Sequence, residues 1–243
     1  MFKSLIKYIL WLGMMTVSFV HAGSFMVDPV RIDLDETQKS SSLMLRNNDQ
    51  EPTVIQVSLM AWSQIDGEDV YTPTKDVLIT PPIVPIQAGS EQLLRLALRR
   101  TLDPQKELTY RIFLQEVPPP PRPGFRGLQV ALRMSVPIFA NANQALRPKM
   151  EWKSAYIAKD HALRVELINS GAAHLHLYEF SLRQPNSNTN LVLQQTAVYL
   201  LSGQRHEWVI KIDSATQIDS IMLKLKAITD TGEAVQDVEL DKS

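Results

Sequence analysis

The sequence predicts an all-β protein of two sandwich domains behind an export signal. Three observations carry this. Apolar residues alternate with polar ones over short runs, at the period of two that puts one side-chain row on one sheet face. Turn-forming clusters such as RNNDQEP, PNSNTN and DTGE punctuate those runs, as strands joined by tight turns require. Beyond the N-terminal segment no stretch shows the helical period. Short strands at this spacing indicate sandwiches, and 243 residues hold two domains of ordinary size.

The elements follow in order. In MFKSLIKYILWLGMMTVSFVHAGS, Lys3 and Lys7 precede an apolar run from Tyr8 to Val20, and Val20-His21-Ala22 fits a small-residue cleavage site. The run is shorter than the roughly 18 to 20 apolar residues of a spanning helix. Residues 1–22 therefore read as a signal peptide cut after Ala22, with no stable membrane insertion. Phe25 to Leu34 is the first strand. Residues 41–62 read as a hairpin turning at RNNDQEP, its second arm alternating Ile55, Val57, Leu59 and Ala61 against Val54, Gln56, Ser58 and Met60. Ile83 to Ile86, Leu93 to Leu98 and Leu108 to Val117 are further strands. PPPPRPGFRG, residues 118–127, reads as a long exposed loop, stiff and extended at its tetraproline and loosened by the glycines at 124 and 127.

LQVALRMSVPIFA, residues 128–140, is one more strand. Leu128, Val130, Leu132, Met134, Val136 and Ile138 share a face. Pro137 has no N–H for a ladder, which places that end at a sheet edge or a bulge. A long edge strand with an apolar row invites another chain to pair with it, and soluble proteins normally avoid one. After Phe139 the alternation lapses through ANANQALRPKM. This divides the mature chain into a domain at 23–142, a hinge at 143–149 and a second domain at 150–243. Beginning near Trp152, the second domain offers strands at Ala162 to Asn169, Ala173 to Arg183, Leu191 to Gln195, Val198 to Leu201, His206 to Ile212 and Ile221 to Ile228.

Composition narrows the function. Removing residues 1–22 leaves 23 basic against 26 acidic residues, a net charge of −3. Such mild acidity gives no reason to expect nucleic acid as a partner. The absence of cysteine excludes disulfides, thiolate metal sites and a cysteine nucleophile. His174 and His176 would share one strand face, half of a metal site, but no third ligand accompanies them. Two half-buried histidines pointing outward are the plainer reading, so no metal and no cofactor is expected. None of the motifs of serine hydrolases, zinc proteases, nucleotide-binding loops or dinucleotide folds occurs, and the chain does not read as an enzyme. An adhesin or carbohydrate-binding sandwich is the alternative. It would want clustered exposed aromatics, whereas Trp62, Trp152 and Trp208 are isolated in sequence.

In order along the chain, FMVDPVRIDLD, RNNDQEPTVIQVSLMAW, ITPPIVPIQAGSEQLLRLAL, LTYRIFLQEVPP and LQVALRMSVPIF resemble the N-terminal domain of periplasmic pilus-assembly chaperones of the chaperone–usher pathway. WKSAYIAKDHALRVELINSG resembles the opening of that family's second domain. The resemblance implies two immunoglobulin-like sandwiches meeting at an angle. It also implies a periplasmic chaperone that completes an unfinished pilus subunit by donating a strand and passes it to an outer-membrane usher. On that reading Leu128, Val130, Leu132, Met134 and Val136 are the donor residues. Family members hold the subunit's C-terminal carboxylate with an arginine on the first strand, matched by Arg31, and a lysine whose position here is Pro137. Arg111, mid-strand among apolar neighbours, is the candidate substitute, since an arginine there needs an anion or a route to water. Arg133 is the runner-up. Pro137, the tetraproline and the ending LRMSVPIF point to the archaic branch.

Overall fold

A computed structural model describes residues 25–120, 130–143, 145–213 and 215–241. All its regular structure is β. The first ten strands are β1 (Phe25–Asp28), β2 (Ile32–Asp35), β3 (Ser40–Asn47), β4 (Thr53–Ile65), β5 (Glu68–Pro73), β6 (Val77–Thr80), β7 (Ile83–Ile86), β8 (Glu91–Leu98), β9 (Leu108–Glu116) and β10 (Arg133–Asn141). They form two facing sheets, ordered β1-β3-β8-β6 and β2-β10-β9-β4-β5, with β7 also paired to β4. Leu43, Leu45, Leu94 and Leu96 from one sheet meet Ile55, Val57, Ile112, Leu114 and Ile138 from the other in a single core. Each of these is the inward residue of an alternating strand, which is how period two becomes a sandwich.

The supposed hairpin at 41–62 is corrected by this pairing. β3 bonds to β1 and β8, while β4 bonds to β9, β5 and β7. RNNDQEP therefore carries the chain from one sheet across to the other. Both arms are apolar on their inner faces because they line opposite walls of one core, a pattern that a hairpin in one sheet would share. Asn47, almost wholly buried, holds the crossing, its amide donating to the carbonyls of Glu51, Ile86 and Gln87. The run from Phe25 to Leu34 likewise divides at Pro29-Val30-Arg31 into β1 and β2, which join different sheets.

The second set is β11 (Met150–Ile157), β12 (Ala162–Asn169), β13 (Leu175–Arg183), β14 (Asn190–Leu200), β15 (Arg205–Lys211), β16 (Met222–Thr229) and β17 (Gly232–Asp241), in the order β14-β13-β16-β17-β11-β12-β15. Only two residue pairs join β11 to β17, so the path folds there into two layers around Leu163, Val165, Leu177, Phe180, Leu223 and Leu225. β14 runs through both of the pieces read at 191–195 and 198–201. β5, β6 and β17 have no counterpart in the sequence reading; β17 buries only Val238 and Leu240, too few apolar residues to stand out. Trp152 and Trp208, isolated in sequence, stack at 6.3 Å beside Phe180, and Trp152 is a member of this core.

A third, small cluster joins the domains. Trp62 and Phe139 of the first pack with Leu201 and Tyr199 of the second. The turn between β4 and β5 also reaches across, and at Gly67, whose φ is +83°, a Cβ would stand 3.2 Å from the Arg205 carbonyl. A larger residue there would meet both backbone strain and the second domain.

Candidate functional site: an open strand edge and a cationic cleft

The site begins with an unfinished edge. β10 pairs with β9 from Arg133 to Ala140, but β2 covers its other side only from Ile138 to Asn141. From Arg133 to Pro137 that outer edge has no strand partner among the described residues. Such a row of free backbone groups is a template for strand addition. Pro137, which lacks an N–H, closes the open stretch.

The apolar row changes character along this strand. Val136 and Ile138 are at most 1% exposed and belong to the sandwich core. Leu132 and Met134 are half-buried and pack against the rim of that core. Val130, just before the strand, is 65% exposed. Leu128 and most of the proline-rich loop lie outside the described residues. The open edge thus carries partly covered side chains at Leu132 and Met134, and closed core from Val136 onward.

Cations gather where the open edge ends. The residue directly opposite Pro137 on β9 is Arg111. Its guanidinium lies 4.0 Å from the Trp62 ring centroid and 5.3 Å from that of Tyr199, and its Nη1 donates to Ser135 Oγ at 3.1 Å. Its Nε is buried, with no hydrogen-bond partner among the described residues. Among the described residues no carboxylate stands at ion-pair distance from it. Arg31 lies immediately before β2, beside the same end of the edge. There it binds Asp33 and donates through Nη1 to Asp230 Oδ2 of the second domain at 2.8 Å. Arg31 also lies over Phe139, 5.0 Å from its centroid. Arg133 is exposed at the far end of the strand, over the Phe113 ring at 4.4 Å.

Beneath these lies a buried network that the sequence did not suggest. Glu107 of the first domain accepts from the His174 backbone N–H at 2.8 Å, contacts His174 Nδ1 at 2.7 Å and accepts from the Asn141 amide at 2.8 Å. His174 Nε2 lies 3.5 Å from Asp230 Oδ2, at ion-pair range but beyond good hydrogen-bond geometry. The imidazole stacks on Phe139 at 3.4 Å and 5°. Burial pushes its pKa down, but the close approach of Asp230 and the bond and charge of Glu107 outweigh that, and the net shift is upward. Asp230 moves the other way, to about 2: burial raises it, and the nearby His174 imidazole with the bonds from the His176 backbone and Arg31 more than compensate. His174 and His176 do share a face, as their spacing implied, but it is turned into the domain interface rather than outward. The sequence signal missed was a pairing: Glu107, Asp230 and Tyr199 sit far from these residues in the chain and meet them only through the fold.

Comparison with known proteins places this arrangement. Residues 24–144 match the pili and flagellar-assembly chaperone family, PapD N-terminal domain. The chain belongs to this family of pilus-assembly chaperones, the match being carried by its first half. The fimbrial chaperone YhcA of Escherichia coli K12 is 22% identical over 152 residues, which span 61% of this chain and 64% of YhcA. Two solved structures share the fold of both domains. One is the CsuC–CsuE chaperone–tip adhesion subunit pre-assembly complex from archaic chaperone-usher Csu pili of Acinetobacter baumannii, with a TM-score of 0.66 at 19% identity, over 90% of this chain and 100% of that one. The other is the Salmonella enterica SafA pilin in complex with the SafB chaperone, with a TM-score of 0.60 at 14% identity, over 91% and 98%.

Proposed function

We propose that this protein is a periplasmic chaperone that binds incomplete pilus subunits on the open edge of β10 and delivers them to an outer-membrane usher. The carrying observation is that Arg111 is the cross-strand partner of Pro137. The family's lysine position is a proline here, and a cation stands directly opposite it, on the neighbouring strand and at the end of the open edge.

Direction follows from the register. β2 runs parallel to β10 and begins at Ile138, so a guest strand filling the open stretch in line with β2 would run the same way. Its last residue would then stop against Arg31 and Arg111. A guanidinium holds a terminal carboxylate through two parallel hydrogen bonds, and Arg111 has no carboxylate at ion-pair distance among the described residues to compete for them. Arg31 shares its charge with Asp33 and Asp230, so it is the weaker anchor. Arg133, at the opposite end of the edge, is badly placed for a strand running this way. Donation by Leu128, Val130, Leu132 and Met134 is supported by the partial exposure of the last three; Val136, closed in the protein's own core, is not free to enter a guest and drops out of the donor row. Residues 143–149 serve as the hinge, and cleavage after Ala22 releases the chain, so periplasmic material should begin at Gly23 on N-terminal sequencing. The resemblance to an archaic relative accords with Pro137.

Affinity purification of the tagged chain from pilus-producing cells tests the reading. An equimolar complex with a small β-rich subunit is the expected result. Recovery of the chaperone alone, with retention on sugar resin, would favour the adhesin instead.

A further inference from the structure

Arg111 is enclosed by rings from both domains. Trp62 comes from β4 of the first and Tyr199 from β14 of the second, and the two rings meet edge to face at 5.5 Å and 82°. One buried amide sets their spacing. Gln64 Nε2 donates to the Tyr199 carbonyl at 2.8 Å, and Gln64 Oε1 accepts from the Leu201 N–H at 2.9 Å. The same Nε2 donates to Asp69 Oδ1 at 2.9 Å, and that oxygen also accepts from Trp62 Nε1 at 2.8 Å. Gln64 is 7% exposed, so breaking these bonds would strand buried polar groups. On its other side Tyr199 stacks on His176 at 3.7 Å and 15°. The Tyr199 ring is therefore fixed by the second domain's own strand, by Gln64 and by His176, and Arg111 lies against it.

We infer that Tyr199, set in place by Gln64, is a positioning residue for Arg111, so that the carboxylate anchor is complete only when the second domain closes over the first. The inference rests on the anchor reading of Arg111. An arginine under two ring faces is attracted to both and has few directions in which to swing. The guanidinium is then held in one place before a guest arrives, which removes the cost of ordering a long side chain on binding. Without the Tyr199 ring, Arg111 keeps, among the described residues, Trp62 and Ser135 and gains freedom toward water. The role differs from a contact with the guest strand: Tyr199 would matter only for a guest that ends in a charge.

That difference defines the test. The probe is a synthetic peptide copying the C-terminal strand of the subunit recovered with the chaperone, made as the free acid and as the carboxamide. Binding is measured by calorimetric titration against the full mature chain. The wild-type protein should prefer the acid. Tyr199→Leu should weaken the acid about tenfold, in line with the loss of a desolvated cation–ring contact, and leave the carboxamide unchanged. Tyr199→Phe, which keeps the ring, should behave as wild type, and Gln64→Leu should fall between them. Adding Tyr199→Leu to Arg111→Ala should cost nothing further, because the two act as one unit. Equal weakening of acid and carboxamide by Tyr199→Leu, or a full additional loss in the Arg111→Ala background, would overturn the inference while leaving the anchor standing. A wild-type protein, and an Arg111→Ala variant, that bind acid and carboxamide alike would remove the anchor and the inference together.

Discussion

Arg31 and Arg111 look alike in the sequence, each a cation within a strand, yet their surroundings divide the work between them. Arg31 already has two carboxylates, Asp33 and Asp230, whereas Arg111 has, among the described residues, a hydroxyl and two ring faces. An incoming carboxylate gains most from the cation whose charge is not yet matched. Arg111→Ala is thus expected to weaken subunit capture by about 2 to 5 kcal/mol, the usual loss when one partner of a desolvated charge pair is truncated, with a thermal melt close to wild type. Arg31→Ala should weaken capture less and lower the melting temperature more, because it leaves the largely buried Asp230 short of a partner. Titration of both variants with the subunit, beside their melts, checks the ordering; a larger binding loss for Arg31→Ala would reverse the assignment. Arg111 was legible in the sequence because an arginine among apolar neighbours on a strand stands out. Trp62 and Tyr199 were not, since nothing in local spacing announces that residues 137 positions apart will close on one guanidinium.

At the scale of the element, β10 shows what alternation can and cannot reveal. The stretch from Arg133 to Ile138 was legible as strand and Pro137 as an edge, but the strand begins at Arg133 rather than at Leu128, which lies outside the described residues, and Val130 to Leu132 precede it. Its division was not legible. Core and open edge are made of the same aliphatic residues in the same period: burial sets in at Val136, while the edge itself stays open until β2 begins its pairing at Ile138. Substitution should separate the two parts. Ile138→Glu places a carboxylate in a closed core, where ionisation costs several kcal/mol or forces a protonated group, and should unfold the N-terminal sandwich. Val130→Glu leaves the charge in water in the free protein and should melt as wild type while abolishing complex formation. Leu132→Glu should fall between: a lowering of the melt by a small amount, since the side chain packs only against the core rim, and the same loss of binding. Thermal melts of the three variants without partner, with co-purification of each, give the order. A collapse of Val130→Glu equal to that of Ile138→Glu would mean that the whole row belongs to the protein's own core.

For the whole molecule, the arrangement of the two domains is held by a buried charged chain, Arg31–Asp230–His174–Glu107, with Asn141 at its end. Two sandwiches were legible from turn spacing; the lock between them was not, because a histidine on a strand gives no sign of whether its partner is water or a carboxylate of another domain. The lock makes stability depend on pH, with a definite sign. His174 is raised in the folded state, so the stability it contributes is complete below the ordinary histidine value of about 6.5 and is lost as pH rises through the raised value. Asp230, held at about 2, contributes stability that is present above the ordinary carboxylate range and lost as pH falls toward 2. Arg31, Glu107 and His176 face the pair; Arg31 keeps its charge across the whole range, and its repulsion of the imidazolium is already part of the upward net shift. The lock should therefore be strongest between about pH 4 and 6.5. His174→Gln retains a donor toward Glu107 but cannot titrate. The melting temperature of wild type should exceed that of the variant by a larger margin at pH 6 than at pH 9, as the wild-type imidazolium loses its proton and its attraction to both carboxylates. A margin that stays constant or grows toward pH 9 would show that His174 is held neutral by its burial, and that the domains are joined by packing on Phe139 rather than by charge.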